Sequence, residues 1–156
     1  MHRNTMFEDI RERPRTLYEL CEAYNTSMHN IQVLCVYCKK ELCRADVYNV
    51  AFTEIRIVYR DNMPYAVCKK CLMFYSRIRE YRRYSRSVYG ATLEAITNKS
   101  LYELLIRCHR CQRPLGPEEK QKVVDDKKRF HEIAGRWTGQ CANCRTAARQ
   151  RSETQV

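Results

Sequence analysis

The sequence is poor in glycine and lacks the common signatures of a catalytic site. Only four glycines occur among 156 residues, and no glycine-rich loop of the kind that holds nucleotide phosphates is present. There is no H-E-x-x-H motif of zinc proteases and no H-x-E motif paired with cysteines, as in zinc deaminases. The four histidines are scattered along the chain. We therefore expect a protein that is not an enzyme.

Long apolar runs are also missing. No stretch approaches the roughly 20 apolar residues that are needed to span a membrane, and the polar N-terminus contains no apolar segment that resembles a signal peptide. We expect no membrane span and a reducing compartment, in which thiols stay free to bind metal.

Cysteine, in contrast, is abundant and regularly spaced. Of ten cysteines, eight form four C-x-x-C pairs, and 29 residues separate the first pair from the second and the third from the fourth. Each cysteine of the second set follows its counterpart in the first by 73 positions. This spacing predicts two duplicated modules, each with one structural Zn²⁺. The eight predicted ligands are Cys35, Cys38, Cys68, Cys71, Cys108, Cys111, Cys141 and Cys144.

The four cysteine pairs have two alternative interpretations, as disulfides or as redox-active pairs. A disulfide framework requires an oxidising compartment, and redox chemistry usually needs one C-x-x-C pair at a helix start. Neither explains four pairs at matched spacing. A site closed by four cysteines has no open coordination position, so it holds structure and does not activate water. Cys21 and Cys43 remain outside the pairs, and we expect buried thiols there.

The charge is strongly positive. The formal net charge is +11, and two sites that each combine four thiolates with one Zn²⁺ would lower it to about +7. A basic surface is compatible with nucleic acid, with acidic peptides or with simple solvation, so charge alone does not identify a partner.

We predict an α+β fold in which two small four-cysteine zinc-binding modules, each with a short three-stranded antiparallel sheet and short helices, are joined by a linker helix. The predicted boundaries are an N-terminal arm at 1–15, a first module at 16–71, the linker helix at 72–84, a second module at 85–144 and a disordered tail at 145–156. Within the modules, Thr16 is predicted to cap a helix, alternation over 50–59 predicts a strand, and 135–139 is predicted to form a turn.

The last four residues match a recognition motif. Glu153, Thr154, Gln155 and Val156 end the chain, and a PDZ groove binds a free carboxylate, an apolar last side chain and a hydroxyl two positions earlier. We therefore predict binding to PDZ-domain proteins. The preceding arginines make Thr154 a candidate for a basophilic kinase, and a phosphate there would block this binding.

The sequence resembles a viral family over nearly its whole length. Two C-x-x-C modules 73 residues apart occur together with Cys-Val-Tyr-Cys, Ala-Phe-Thr-Glu-Ile, Val-Tyr-Arg-Asp, Ser-Val-Tyr-Gly, Arg-Pro-Leu-Gly-Pro-Glu-Glu-Lys and Gly-Arg-Trp-Thr-Gly. These segments resemble the early protein six oncoproteins of human papillomaviruses. The terminal Glu-Thr-Gln-Val is similar to that of the high-risk mucosal types.

The resemblance implies a viral adaptor. It implies that the two modules and the linker helix bind an acidic, helical L-x-x-L-L peptide of a host HECT-type ubiquitin ligase, and that the fifty-three-kilodalton tumour suppressor is thereby degraded. It further implies inhibition of apoptosis, modulation of host transcription, and a location in the host nucleus and host cytoplasm. The implied peptide-binding residues are Arg15, Tyr37, Ile55, Val58, Arg60, Val67, Leu72, Tyr75, Ile78, Arg107, Gln112 and Arg136. The implied tumour-suppressor-binding residues are Tyr48, Phe52, Glu54 and Leu105.

One alternative and one side effect accompany this hypothesis. The basic charge, the arginine-rich helix and the aromatic residues also fit a nucleic-acid-binding zinc protein that acts in transcription. Against it, the arginines of the linker are interleaved with apolar residues and form no continuous stripe. Because we expect Phe52 to be partly exposed on a strand, weak self-association is also predicted.

Overall fold

The first part of the chain forms a small mixed unit. The structure is a computed structural model that describes residues 7–147, and a first compact unit runs through Leu72. Its elements are α1 (Leu17–Ala23), α2 (Arg44–Phe52), β1 (Val58–Arg60) and β2 (Met63–Tyr65). As predicted, the Thr16 hydroxyl caps α1 by accepting a hydrogen bond from the Glu19 N–H, which satisfies one of the free donors at a helix start.

The remaining elements are one long helix and the parts of a second unit, which begins at Met73. The long helix, α3 (Lys69–Arg83), starts directly after Cys68. The elements that follow are β3 (Tyr84–Val88), α4 (Gly90–Thr97), a 3₁₀ turn (Leu101–Glu103), β4 (Arg107–Cys108), α5 (Pro117–Asp125), β5 (Phe130–Ile133) and β6 (Arg136–Gly139).

The two units have different sheets. In the first, β1 and β2 form an antiparallel pair in which Val58 lies opposite Tyr65. In the second, the strand order is β3-β5-β6-β4, with β4 parallel to β6 and the other pairs antiparallel. The α+β class with two four-cysteine modules is confirmed, but the predicted three strands in each module are wrong: among residues 7–147 the sheets have two and four.

The duplication extends from the cysteines to two of the helices and to the left-handed residues of the backbone. The helix α1 begins 73 positions before α4, and α2 begins and ends 73 positions before α5. Ten residues of the described chain have a positive φ, and they form five pairs with the same offset: 25 and 98, 39 and 112, 54 and 127, 61 and 134, 62 and 135. Only one of the ten is a glycine. Because left-handed backbone is rarely adopted by other residues, this repetition shows that both units follow the same chain path.

Each unit packs its own apolar core, and equivalent positions fill both. Leu20 and Leu93 are fully buried at matched sites, and Val50 matches Val123. One pair departs from this pattern, because Lys120 in the second unit takes the place of the fully buried Val47. The Lys120 ammonium group donates to the backbone carbonyls of two residues around the 3₁₀ turn, which compensates for its burial.

Several local predictions need correction. Residues 50–52 complete α2 instead of starting a strand, since Val47, Val50 and Ala51 face the core with helical spacing. Glu54 follows the helix with a φ of 56°, and β1 begins only at Val58. The linker helix begins at Lys69, and the predicted turn at 135–139 contains β6. Residues 145–147, which were predicted to lie in the tail, are helical.

In the part of the chain that the structure describes, no helix has the length and apolar character needed to cross a bilayer.

Candidate metal centres and binding surfaces

A tight turn presents the first cysteine pair. The Cys35 N–H donates to the Lys40 carbonyl (2.9 Å), and the Lys39 N–H donates back to the Cys35 carbonyl (3.0 Å). Lys39 closes the turn with a φ of 64°. A parallel bridge joins Cys35 to Ala66, so the turn lies beside the segment that leads to the next pair.

The second pair of this unit lies at the start of α3. The Cys71 N–H donates to the Cys68 sulfur at 3.5 Å, as expected for a C-x-x-C pair that opens a helix. The Cys38 and Cys68 sulfurs are 3.9 Å apart, and all four sulfurs of Cys35, Cys38, Cys68 and Cys71 lie within 4.8 Å of one another.

The second cluster repeats this construction at the 73-residue offset. The Cys108 N–H donates to Arg113, and the Gln112 N–H donates back to Cys108. Gln112 has a φ of 63°, and β4 pairs Cys108 with Gly139. The Cys111 and Cys141 sulfurs are 3.6 Å apart, and the Cys144 N–H donates to the Cys141 sulfur. All four sulfurs again lie within 4.8 Å.

Both clusters have the dimensions of a four-coordinate metal site. A tetrahedral Zn²⁺ with metal–sulfur bonds of about 2.3 Å would separate its ligand sulfurs by roughly 3.8 Å, and the measured separations are 3.9 and 3.6 Å. All ten cysteines are free thiols. Of the two outside the clusters, Cys21 is buried as predicted, whereas Cys43 is exposed and that prediction is wrong. Among residues 7–147, these are the two groups of potential metal ligands that lie close enough together to share an ion, and each consists of cysteine alone. Two metal ions therefore fit this chain, one in each unit.

The pKa is lowered for one thiol of the first cluster, Cys35, and for two thiols of the second, Cys108 and Cys141. At Cys141 the hydrogen bond with Cys108 contributes most to lowering the pKa. The hydrogen bond with Cys111 contributes most to lowering the pKa of Cys108, which falls to about 6. At Cys35 burial opposes ionisation, but hydrogen bonds with its neighbours outweigh it and lower the pKa to about 7. Burial raises the pKa of Cys71 to about 12. Because metal ligands must be thiolates, ion binding would release protons from the less acidic members.

A carboxylate braces the second cluster from outside. Glu119 of α5 accepts hydrogen bonds from the Arg113 guanidinium (2.6 Å), the Ala142 N–H (2.8 Å) and the Gly116 N–H (3.2 Å). Ala142 lies directly after Cys141, and Arg113 lies two residues after Cys111. Glu119 thus links the two halves of the cluster to a helix.

The predicted peptide-binding residues of the first unit lie around its core. Val67 is buried in the core, and Ile55 and Leu72 pack against it while remaining partly exposed. Tyr37 is about half exposed, at 51%, and Val58 lies on β1. The two basic residues, Arg15 and Arg60, are exposed.

The predicted peptide-binding residues of the second unit include a hydrogen-bonded network. The Arg107 guanidinium donates to the Gln112 carbonyl (2.8 Å), and the Gln112 side chain donates to the Ser76 hydroxyl (3.0 Å) on α3. Two further residues of α3, Tyr75 and Ile78, are exposed and partly exposed, and Arg136 is exposed on β6.

Two of the predicted tumour-suppressor-binding residues form an aromatic cluster on α2. The rings of Tyr48 and Phe52 stack with centroids 5.9 Å apart, and Phe52 is 66% exposed. The Tyr48 hydroxyl also contacts a ring nitrogen of His29, a residue that the sequence did not single out. Glu54 is exposed two residues after Phe52, and Leu105 of the second unit is 67% exposed. Phe52 lies on a helix, not on the predicted strand.

Some predictions fall outside what the structure describes, and one expectation changes. Residues 153–156, the predicted PDZ motif, lie beyond the described residues. The histidines are less scattered than the sequence indicated, because the rings of His109 and His131 meet edge to face at 5.4 Å and Glu80 lies 3.8 Å from His109 Nε2. Burial lowers the pKa of both histidines. Their separation along the chain gave no signal of this contact.

Comparison with known proteins agrees with this construction. The sequence model of the family described as Early Protein (E6) matches residues 35–144. Protein E6 of Human papillomavirus 51 is 86% identical over 151 residues, which cover 97% of this chain and all of that protein. Protein E6 of Human papillomavirus type 26 is 68% identical with the same coverage.

A solved structure is also similar. The solution structure of the C-terminal zinc-binding domain of HPV51 oncoprotein E6 has 84% sequence identity, covers 46% of this chain and 93% of its own, and gives a TM-score of 0.39. The family match spans both cysteine clusters, and the relatives align over almost the entire length. The chain therefore belongs to the papillomavirus Early Protein (E6) family.

Proposed function

We propose that this chain is a non-enzymatic adaptor that holds two structural Zn²⁺ ions and joins a host ubiquitin ligase to proteins destined for degradation. The observation that carries the proposal is the pair of closed four-cysteine clusters, each on a unit whose partly exposed apolar and arginine residues remain available. Such sites stabilise small units and leave no open metal position for chemistry. The action would take place in the host nucleus and host cytoplasm.

Zinc is the proposed ion because four thiolates at tetrahedral spacing favour it. The purified chain should contain two zinc ions by elemental analysis. Cys68→Ser should reduce this to one, because it removes a ligand of the first cluster. The control is Cys43→Ser, at an exposed cysteine outside both clusters, which should retain two. Equal zinc content in the two variants would contradict the assignment.

The proposed ligand of the adaptor is an acidic L-x-x-L-L helix of a HECT-type ubiquitin ligase. A leucine-faced helix requires partly exposed apolar side chains, which Ile55 and Leu72 provide beside the core of the first unit. Its acidic residues require arginines, which bind carboxylates through two parallel hydrogen bonds. Arg15 and Arg60 are exposed in the same unit, and Arg107 and Arg136 are the corresponding candidates in the second.

Peptide binding can be tested by fluorescence anisotropy with a labelled acidic L-x-x-L-L peptide. Leu72→Glu should weaken binding at least tenfold, since it places a charge where an apolar contact is needed. The matched control is Ile10→Glu, at an exposed aliphatic residue of the same unit. Arg60→Ala should weaken binding, and Arg56→Ala, at an exposed arginine nearby, should not. Unchanged affinity in Leu72→Glu, with zinc retained, would refute the proposed site.

The proposed cargo is the fifty-three-kilodalton tumour suppressor, with PDZ-domain proteins as a second class. Tyr48, Phe52, Glu54 and Leu105 are the proposed contacts of the first, and the exposed stacked rings on α2 support this role. Glu153, Thr154, Gln155 and Val156 are the proposed PDZ ligand. Deletion of Val156 should abolish capture of PDZ-domain proteins without affecting degradation of the tumour suppressor in a reconstituted ubiquitination assay.

Nucleic-acid binding is the competing function, and the basic charge favours it. The dependence of affinity on salt concentration distinguishes nucleic-acid binding from peptide binding. Affinity for DNA should fall with salt at a slope of about −0.9 per phosphate contact, whereas leucine-peptide affinity should respond only modestly and should depend on Leu72. A steep salt slope without peptide affinity would favour the competing function.

A further inference from the structure

A basic cavity lies in the second unit. It has a volume of about 490 Å³, which is within the range of small-molecule sites. Five cationic side chains line it: Arg110, Lys127, Lys128, Arg129 and Arg145. They come from separate segments: Arg110 from the loop between the third pair of cysteines, three consecutive residues from the turn after α5, and Arg145 from the helical residues after Cys144.

Most of this charge is not balanced. Arg145 forms an ion pair with Asp126, but among residues 7–147 no carboxylate lies within ion-pair distance of the other four cations. Arg129 lies over the Tyr89 ring and donates to its hydroxyl at 3.4 Å. The one acidic residue of the lining is Glu80, which faces His109. The cavity therefore has an excess of positive charge.

Two buried polar atoms of the lining also have no hydrogen-bond partner in the described chain: Arg110 Nε and His109 Nδ1. His109 is only 7% exposed. Buried polar groups are nearly always paired, and an unpaired one costs about 1–3 kcal/mol. Arg110 Nε can only donate, so this atom requires an acceptor. A water molecule could accept one hydrogen bond, but it would not balance the cations.

The duplication shows that the fold does not require these cations. At the 73-residue offset, Arg110, Lys128 and Arg145 occupy the positions of Tyr37, Ile55 and Leu72 in the first unit. His131 and Gln140, which also line the cavity, occupy those of Val58 and Val67. The cavity is thus the counterpart of the surface proposed to bind leucines, with polar and basic residues at every apolar position. A ligand here must be recognised by charge.

We propose that this cavity binds a compact ligand that carries two or more phosphate groups. Arginine binds phosphate oxygens through strong charge-assisted hydrogen bonds that are often bidentate, and more than one phosphate is needed to balance four cations. A volume of about 490 Å³ suits a small polyphosphate better than a duplex. A leucine-faced acidic peptide is disfavoured because Arg110, Lys128 and Arg145 replace the apolar and aromatic side chains that the first unit has at these positions. The excess charge of this cavity does not depend on whether the first unit binds a leucine peptide.

The test is isothermal titration calorimetry of the zinc-loaded full-length chain with tripolyphosphate at low salt. We expect one binding site, with the dissociation constant raised about tenfold or more by Lys128→Glu, because a charge-assisted contact is lost and reversed. Lys99→Glu is the matched control, at an exposed lysine of the same unit outside the cavity, and it should change the affinity less than about twofold. Lys127→Glu should behave like Lys128→Glu.

Four results would overturn the proposal: no binding of tripolyphosphate, an equal loss in Lys99→Glu and Lys128→Glu, loss of zinc from the protein during the titration, or Lys128-dependent binding of duplex DNA or an oligoglutamate peptide that is tighter than that of tripolyphosphate. Leu72→Glu separates the two proposals, because it should leave tripolyphosphate binding intact whether or not the leucine peptide binds.

Discussion

Removing the charge of Glu119 should destabilise the second unit more than removing any exposed charge on the same helix. Its side chain is only 17% exposed, and its carboxylate accepts three hydrogen bonds: from Arg113, from the Gly116 N–H and from the Ala142 N–H. Glu119→Gln preserves size, but the new amide group is itself a donor and would face one of these donors. The substitution therefore breaks at least one bond and weakens the others.

The expected cost follows from the type of bond. A hydrogen bond to a charged group contributes about 1.5–3 kcal/mol, so Glu119→Gln should lower the free energy of unfolding by about 2–3 kcal/mol. The control is Glu118→Gln. Both glutamates lie in the first turn of α5, so both variants lose a favourable charge near the helix start, worth about 0.3–1 kcal/mol. Glu118 is exposed, and the difference between the variants isolates the carboxylate network.

The effect should also depend on pH in a defined direction. Burial opposes ionisation of Glu119, but its hydrogen bonds outweigh this effect and hold its pKa below the ordinary value. A lowered folded-state pKa contributes stability above the unfolded-state pKa, and this contribution is lost as the pH falls through the folded-state value. The difference in the free energy of unfolding between wild type and Glu119→Gln should stay constant from neutral pH to about pH 5 and become smaller below it.

Urea unfolding of the zinc-saturated protein, followed by the fluorescence of its single tryptophan, Trp137, measures both quantities. Trp137 lies on β6 and reports on the second unit. Zinc content must be measured at each pH, because protonated thiols release metal. The proposed role of Glu119 is wrong if the free energies of unfolding of Glu119→Gln and Glu118→Gln differ by less than about 0.5 kcal/mol. It is also wrong if the difference between wild type and Glu119→Gln increases at acidic pH.

Three further predictions address the cores and the aromatic cluster. Leu20→Ala and Leu93→Ala remove fully buried side chains at matched positions, so each should cost about 2–5 kcal/mol, and hydrogen exchange should show increased opening mainly in the unit that carries the change. A Cβ at Gly139 would lie 3.3 Å from the fully buried Phe130 ring. Gly139→Ala should therefore cost about 1–3 kcal/mol in urea unfolding, and Phe130→Ile, which copies the first unit, should relieve part of this cost. Phe52→Glu should reduce self-association in sedimentation velocity without a change in unfolding, because this ring is mostly exposed; unchanged association would exclude the α2 cluster as the contact.

The sequence was sufficient for the features that depend on a regular offset. The 73-residue repeat of the cysteines identified two clusters, and the structure brings together the same eight sulfurs. Thr16 was recognisable as a helix cap because its signal is local. The strand predicted over 50–59 is correct at its end, where β1 begins at Val58, but wrong at its start. Short apolar runs fit both periods: Val50 and Phe52 alternate as in a strand, while Val47, Val50 and Ala51 have helical spacing. The core decided in favour of the helix.

The basic cavity was missed for a different reason. Its cations come from three segments that are distant in sequence, and none of these segments carries a recognised motif. A signal was nevertheless available. Aligning the halves at the cysteine offset places Arg110 on Tyr37 and Lys128 on Ile55. The alignment shows that basic residues, although scattered in the sequence, occupy positions that are apolar or aromatic in the first unit. The cysteines that recur in both halves indicate the metal ligands, whereas the positions at which the two halves differ indicate what each unit binds.

Lys120 shows how far such departures can go without loss of the fold. It takes the position of the fully buried Val47, yet its ammonium group reaches two backbone carbonyls near the 3₁₀ turn, at 2.8 and 2.6 Å. Because the backbone conformation is the same with lysine or valine at this core position, other residues must determine that conformation. The four-cysteine clusters and the paired left-handed residues, which recur at the same offset in both units, provide that specification. Since these elements fix the backbone, the side chains between them are free to diverge, and the same location can be apolar in one unit and basic in the other. Two equivalent sites on one backbone are therefore expected to bind chemically different ligands.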